Sequence, residues 1–244
     1  MNTLVKITLA ISLTLLGHTE LLAQWGSKKV VGNGNVVTKT VNTSDYAGIQ
    51  VVGSMDVHLQ RGAEGTIAVT TDENLQEYII VEVKENNMLV IRTEKNTSLK
   101  TKKGIHITVP YEDISEVSLV GSGDIDSKDT ITASQLEVSL TGSGDMVLTV
   151  DAADINAKLT GSGDLDLSGK AANLEIKISG SGDYKGASLI ADNVQAYVSG
   201  SGDAKVYAKK HIKARVNGSG DIRYAGNPEK SDTKVSGSGT IKSM

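Results

Sequence analysis

Six aspartates recur at near-regular intervals: Asp124, Asp145, Asp164, Asp183, Asp203 and Asp221, each closing a Gly-Ser-Gly-Asp unit. The steps between them are 21, 19, 19, 20 and 18 residues. If the units stack as parallel strands, the carboxylates lie about 4.8 Å apart. Neighbours at that spacing repel by roughly 1 kcal/mol in water and ~3–4 kcal/mol at an effective dielectric of 20. The column is tolerable only if it is solvated, bonded to backbone N–H groups or neutralised by cations. Calcium, a ligand of carboxylate oxygens, is the metal candidate. Calcium-binding nonapeptide repeats also carry Gly and Asp, but their period is nine.

A second chemistry is acid–base work on a glycan. Asp124 with Asp126, and Asp164 with Asp166, put carboxylates on adjoining faces of the turn, as in β-helix polysaccharide hydrolases and lyases. The same column then switches to Lys185, Lys205 and Arg223, which is the charge alternation of a solvated face. Outward aromatics, which sugar sites favour, are limited to Tyr197 and Tyr207. No enzyme activity, catalytic residue or cofactor is therefore expected.

The units make best sense as corners. Glycine reaches positive φ without a Cβ penalty. Ser and Asp side chains accept N–H groups that a sharp bend strips from the strand ladder. A seventh unit, Gly237-Ser-Gly-Thr240, continues the series. A repeat of about 19 residues is the mark of a solenoid and leaves no room for a helix of normal length. Two positions before each unit stand Leu119, Leu140, Leu159, Ile178, Val198, Val216 and Val235. Four before stand Val117, Val138, Ala157, Ile176, Ala196, Ala214 and Thr233. Polar residues alternate with these, so a strand with one buried face enters every corner. Ile125, Met146, Leu165, Tyr184, Ala204 and Ile222 follow the corner and point inward. The second strand is expected to be short, ending in a loop such as Asp151–Asp154 or Gly169–Ala172. The predicted fold is all-β: a parallel, right-handed β-helix.

The outward columns form a candidate binding face. Thr141, Thr160, Ser179, Ser199 and Asn217 stand one before the corner, with Ser236 following. Lys158, Lys177, Tyr197 and Arg215 stand three before it, with Lys234 following. Repeated donors at fixed spacing suit an extended polymer such as an anionic glycan or a matrix component. The same pattern also describes a plain hydrated wall.

Composition narrows the class. The chain has 244 residues, 26 glycines, two prolines, one Trp and no Phe, which suits a narrow interior of medium aliphatic side chains. A net charge of −4, with no aromatic platform set in a basic stripe, gives no case for nucleic acid. Residues 1–23 read as a signal peptide: Lys6, an apolar run from Ile7 to Gly17, then a cut near Ala23. That run is too short to span a bilayer. There is no cysteine, so neither disulfides nor a lipid anchor is expected. His18, His58, His106 and His211 are scattered, and no HExxH or CxxC occurs, so no zinc site is expected.

Residues 24–110 form a β-rich region without the repeat. Strands are expected over 35–41, 49–52, 55–60, 66–71, 79–84, 88–93 and 105–109. Asn86-Asn87 reads as a hairpin turn, and Asp72 as the cap of a helical turn reaching Tyr78. Gly53-Ser-Met-Asp56 is a degenerate corner, read as an early coil separated by a long excursion from residues 111–244.

The segment Tyr46–Leu59, then Asp72–Leu75, Ile105–Pro110 and the run of Gly-Ser-Gly-Asp units resembles the head GIN domain, or auto-transporter adhesin, family, over about Tyr46 to Thr240. The resemblance implies an exported bacterial β-helical protein with an adhesin label and no catalytic residues. The expectation is an exported, non-enzymatic protein of the periplasm, outer envelope or exterior, binding a glycan, matrix or surface protein. The alternatives are an envelope scaffold assembling through its end coil, or the β-helix carbohydrate-active enzyme.

Overall fold

The computed structural model describes residues 27–244; the signal-peptide expectation lies outside them. Each Gly-Ser-Gly-Asp corner separates one rung from the next, and successive rungs pair in parallel and in register. Leu140, Leu159 and Ile178 are direct partners, as are Gly142, Gly161 and Gly180. The strands Met146–Gly161, Leu165–Gly180, Tyr184–Gly200 and Ala204–Gly218 run from one corner to the next. Each is bent rather than broken. Asp151 and Ala152 pair with Lys170 and Ala171, so these segments belong to the ladder and are not the loops that their Ala, Asp and Gly content suggested.

The inward columns are buried up to the Gly218 rung, but in the last rung Thr233 and Val235 are exposed, because no further rung covers them. Leu119, Leu140 and Leu159 have no accessible surface, and Ile178, Val198 and Val216 expose 2% each. A continuous core runs from Tyr46 to Ile222, crossing residue 110 without a gap. Burying each aliphatic side chain contributes about 1.5–3 kcal/mol relative to exposure. Small inward residues, Ala196, Ala204 and Ala214, are buried in the same part of the core as one aromatic, Tyr184, which lies in register with Ala204. Gly186 makes the room: a Cβ on it would lie 2.2 Å from the Tyr184 ring. The Tyr184 hydroxyl is buried without a hydrogen-bond partner.

The degenerate corner at Gly53 is a true rung. Gly48–Gly53 pairs in parallel with Glu116–Gly121, Gly53 opposite Gly121, and Val57 lies beside Ile125. The intervening excursion does not form a separate body. Its strands Met88–Thr93 and His106–Tyr111 pair in parallel with the other side of the Gly53 rung. The chain thus builds one rung, then the rung beneath it, then jumps across to continue upward. Antiparallel strands cover that end: Ile79–Val83 on Met88–Thr93, Thr66–Asp72 on His106–Tyr111, and Val36–Asn42 on Thr66–Asp72. Covering this end keeps its edge from pairing with another chain, whereas at the far end Lys230–Gly237 and Ile241–Ser243 each pair on one side only. Asp72 precedes the 3-10 turn Glu73–Tyr78 without capping it; its carboxylate accepts instead from the Gly34 N–H and the Thr101 hydroxyl, both at 2.6 Å.

The corner glycines are held by contact with backbone. The first glycine of each unit has φ between +119° and +140°. The second glycine is buried, and a Cβ there would fall on a carbonyl of the rung below, 1.9 Å from the Gly144 oxygen in the case of Gly163. We expect Gly163→Ala to lower stability by ~4 kcal/mol or more, or to prevent folding. Gly34→Ala, at φ +83° with nothing within 4 Å, should lose only ~1–2 kcal/mol. Urea unfolding of the two variants checks this; equal losses would show that close approach does not constrain the corner.

Candidate functional site

At every corner the backbone donors are taken up by the neighbouring rung. The Ser143 and Gly144 N–H groups donate to the Gly121 carbonyl at 2.9 and 3.3 Å, and later corners repeat the pair. The aspartate N–H donates to the carboxylate one rung earlier: Asp145 to Asp124 at 2.8 Å, Asp164 to Asp145 at 2.9 Å, Asp183 to Asp164 at 3.1 Å. Asp203 and Asp221 continue the series at 2.8 and 2.7 Å, and the Thr240 N–H and hydroxyl both donate to Asp221. One oxygen of each carboxylate is therefore committed to the fold, which offsets the stacking repulsion. Lys185 adds an ion pair to Asp164 at 2.8 Å. Among the described residues no three His, Asp or Glu side chains form a metal-holding group. Asp126 and Asp166, read from sequence beside Asp124 and Asp164, lie on the neighbouring face in the column that passes to Lys185.

The corner that organises the aspartates also sets two outward columns side by side. Their strand residues lie directly opposite one another: Lys158 beside Lys177, Lys177 beside Tyr197, Tyr197 beside Arg215, Arg215 beside Lys234. The long side chains make one wall of a groove of about 650 Å³, and Thr160, Ser179, Ser199, Asn217 and Ser236 line it beside them. Between the columns lie Leu159, Ile178, Val198 and Val216, whose side chains face the core. Five rungs span about 19 Å at the usual strand spacing. Thr141 does not line the groove. It sits one rung further on, in a smaller depression of about 460 Å³ with Glu137 and Ser139.

Tyr197 is the centre of the groove. Its ring lies 5.9 Å from the Lys177 ammonium and 5.7 Å from that of Lys213, and its hydroxyl donates to Gln195 at 2.8 Å. Such contacts contribute ~0.5–1 kcal/mol at exposed sites and hold the ring in place. Lys177 pairs with Glu175, which raises the lysine above its ordinary value. Arg215 pairs with Asp232 and holds that carboxyl low. Lys213, two residues before Arg215 on the same outward face, was not among the residues read from sequence. Its alternation with Arg215 was the signal available.

Two further arrangements escaped sequence reading. The His58 ring stacks on His106 with centroids 5.8 Å apart and planes within 11°. His58 Nδ1 bonds Asp126, and His106 Nδ1 lies 3.6 Å from Asp56. His58 stands two past Asp56 as Asp126 stands two past Asp124, so aligning the degenerate corner would have placed them together. On another face a polar ladder runs Asp154, Asn173, Asn193, His211, with bonds of 2.7, 2.9 and 2.7 Å.

Fold and groove together define a β-solenoid with a polar, cation-walled face. Residues 45–228 match the family described as "Putative auto-transporter adhesin, head GIN domain", and the chain belongs to that family. Its fold is similar to that of a Bacteroides fragilis NCTC 9343 protein described as a "putative adhesin", at TM-score 0.82 and 24% identity, covering 88% of this chain and 100% of that one. Two Parabacteroides distasonis ATCC 8503 proteins, described as a "putative lipid binding protein" and a "putative adhesin", each align at TM-score 0.71, with 27% and 26% identity, covering 89% of this chain and 100% of theirs. No curated protein matches the chain in sequence. Among the described residues no helix is long and apolar enough to cross a membrane.

The aspartate ladder makes stability depend on acid. The Thr240 hydroxyl and N–H hold Asp221 below the ordinary carboxylate value. At Asp164 burial pushes upward, but Lys185 and the Asp183 N–H outweigh it and leave the group low. Groups lowered in the fold stabilise it above the unfolded carboxylate value near pH 4 and lose that contribution as pH falls further. Melting temperature should therefore drop between pH 4 and pH 2, and Asp221→Asn should flatten part of that drop. A melting curve unchanged across this range would contradict the role given to the ladder.

Proposed function

We propose that this chain is an exported, non-enzymatic protein of the cell envelope, an adhesin-like module that presents the groove face to an extended polymer or surface ligand. The observation that carries this reading is the groove itself. Eight of the nine residues expected from sequence to form a binding face line it, in register over five rungs. Donors carried on a rigid backbone need no main-chain ordering when a linear ligand lies along them, which lowers the entropic cost of binding. The family and two of the three solved relatives are described as adhesins and the third as a lipid binding protein, none of them as an enzyme, and the apolar run after Lys6 supports export. In this reading residues 24–110 close one end and residues 111–244 supply the surface.

The test is binding of the mature chain to an immobilised glycan and matrix-protein panel. The doubly substituted Lys177→Ala/Tyr197→Ala protein should bind its panel ligand at least tenfold more weakly. Lys170→Ala, on another face, should bind as the native chain does. Equal binding by all three would remove the groove as the site. Protease treatment of intact cells checks the location: cleavage of the chain without lysis is expected for outward display.

A further inference from the structure

Charge is distributed unevenly along the solenoid. Residues 112–179 hold 13 Asp and Glu against four Lys, a formal net charge of −9, whereas residues 180–244 hold ten Lys and Arg against six Asp and Glu, a net of +4. The groove face follows the same gradient. In the column three before the corner, the Gly121 and Gly142 rungs carry Ser118 and Ser139, bonded to each other at 2.8 Å. Beside them Glu116 and Glu137 are direct partners, and burial together with the Glu137 charge raises Glu116. From the next rung the column is Lys158, Lys177, Tyr197, Arg215 and Lys234.

The four cations of this column fall in two pairs, one on either side of Tyr197. Lys158 lies in register beside Lys177, and Arg215 beside Lys234. Each like-charged pair at strand spacing costs about 1 kcal/mol in water. Glu175 and Asp232 compensate Lys177 and Arg215; Lys158 and Lys234 have no ion pair among the described residues. All five positions face solvent, so packing does not require a cation at any of them. An anionic ligand would relieve the repulsion, and the acidic rungs beside Ser139 would repel that ligand past Lys158.

We propose that the groove binds a linear anionic polysaccharide, carboxylated or sulfated, laid parallel to the solenoid axis over the five rungs from Lys158 to Lys234 and stopped at the Gly142 rung. This rests on the groove reading above and adds the ligand's charge, direction and extent. The Tyr197 ring, with the Lys177 and Lys213 ammoniums over it, lies at mid-groove between a cation pair on either side.

Four probes distinguish the outcomes: oligogalacturonates of graded length, dextran sulfate, neutral dextran, and phosphatidylglycerol vesicles, each titrated into the mature chain at low and at physiological salt. The two anionic glycans should bind, at least tenfold tighter than neutral dextran, and weaken with salt. Oligogalacturonate affinity should rise with length and level off once the oligomer spans about 19 Å, the five-rung length. Lys158→Glu and Lys234→Glu should each weaken it about tenfold. Ser139→Lys should move the plateau to a longer oligomer. If neutral dextran binds as tightly, and Lys177→Ala/Tyr197→Ala still weakens it, the anionic assignment fails while the groove stands. Binding to vesicles but to neither anionic glycan would overturn the proposal in favour of a lipid surface. No binding to either anionic glycan would overturn it outright, leaving the groove to be judged by its own panel. A plateau unmoved by Ser139→Lys would overturn the stop at the Gly142 rung.

Discussion

The structure depends on how closely one rung's backbone can approach the next at the corner. At Gly144, Gly163 and Gly182 the space for a side chain is occupied by a carbonyl of the preceding rung. That carbonyl belongs to a glycine whose neighbours are themselves held by hydrogen bonds from rung to rung. The contact fixes register, because a shift of one residue would bring a side chain where only hydrogen fits. A one-residue slip would also turn Leu140, Leu159 and Ile178 outward and expose the core. Close approach and hydrophobic burial thus select the same register, and neither would hold it as firmly alone.

Register has a consequence at the surface. With inward residues stacked, the outward residues on either side of them must stack too. Columns of lysine, hydroxyl and aspartate are therefore imposed by the core. The aspartate column is tolerated because each carboxylate accepts the next rung's N–H, so a repulsive row becomes part of the corner. The basic column has no such ladder: among the described residues only Arg215 reaches backbone carbonyls, those of Ala214 and Asp232, and only Lys177 and Arg215 find carboxylates. A fold that satisfies one charged ladder internally and leaves another open toward a groove is suited to hold a ligand there.

Much of this was legible in the sequence because a corner requiring glycine at two positions leaves a plain signature. The interval gave the rungs, the alternation gave the buried columns, and the degenerate unit at Gly53 gave the early rung. What could not be read was the order of rungs. Nothing in the composition of Met88–Thr93 or His106–Tyr111 says that they pair below the Gly53 rung. That placement follows from which strand edge remains open once the Gly121 rung has taken the other side. The stacking of His58 on His106 depends on the same placement and was hidden with it. The bends at Asp151 and Gly169 were misread as loops because Ala, Asp and Gly weaken a strand signal that parallel pairing on both sides overrides. Thr141 continues the hydroxyl column of the candidate binding face, but its rung carries Ser139 in place of a long cation, so it lies outside the groove.

Backbone amide shift mapping is the most direct examination of the account, since it reports each rung separately. On adding a polyanionic glycan to the isotope-labelled mature chain, perturbations should run along residues 158–160, 177–179, 197–199, 215–217 and 234–236, with the Asp126–Val147–Asp166 face unmoved. Shifts centred on the Lys185–Lys205–Arg223 column, or spread evenly over all faces, would contradict it.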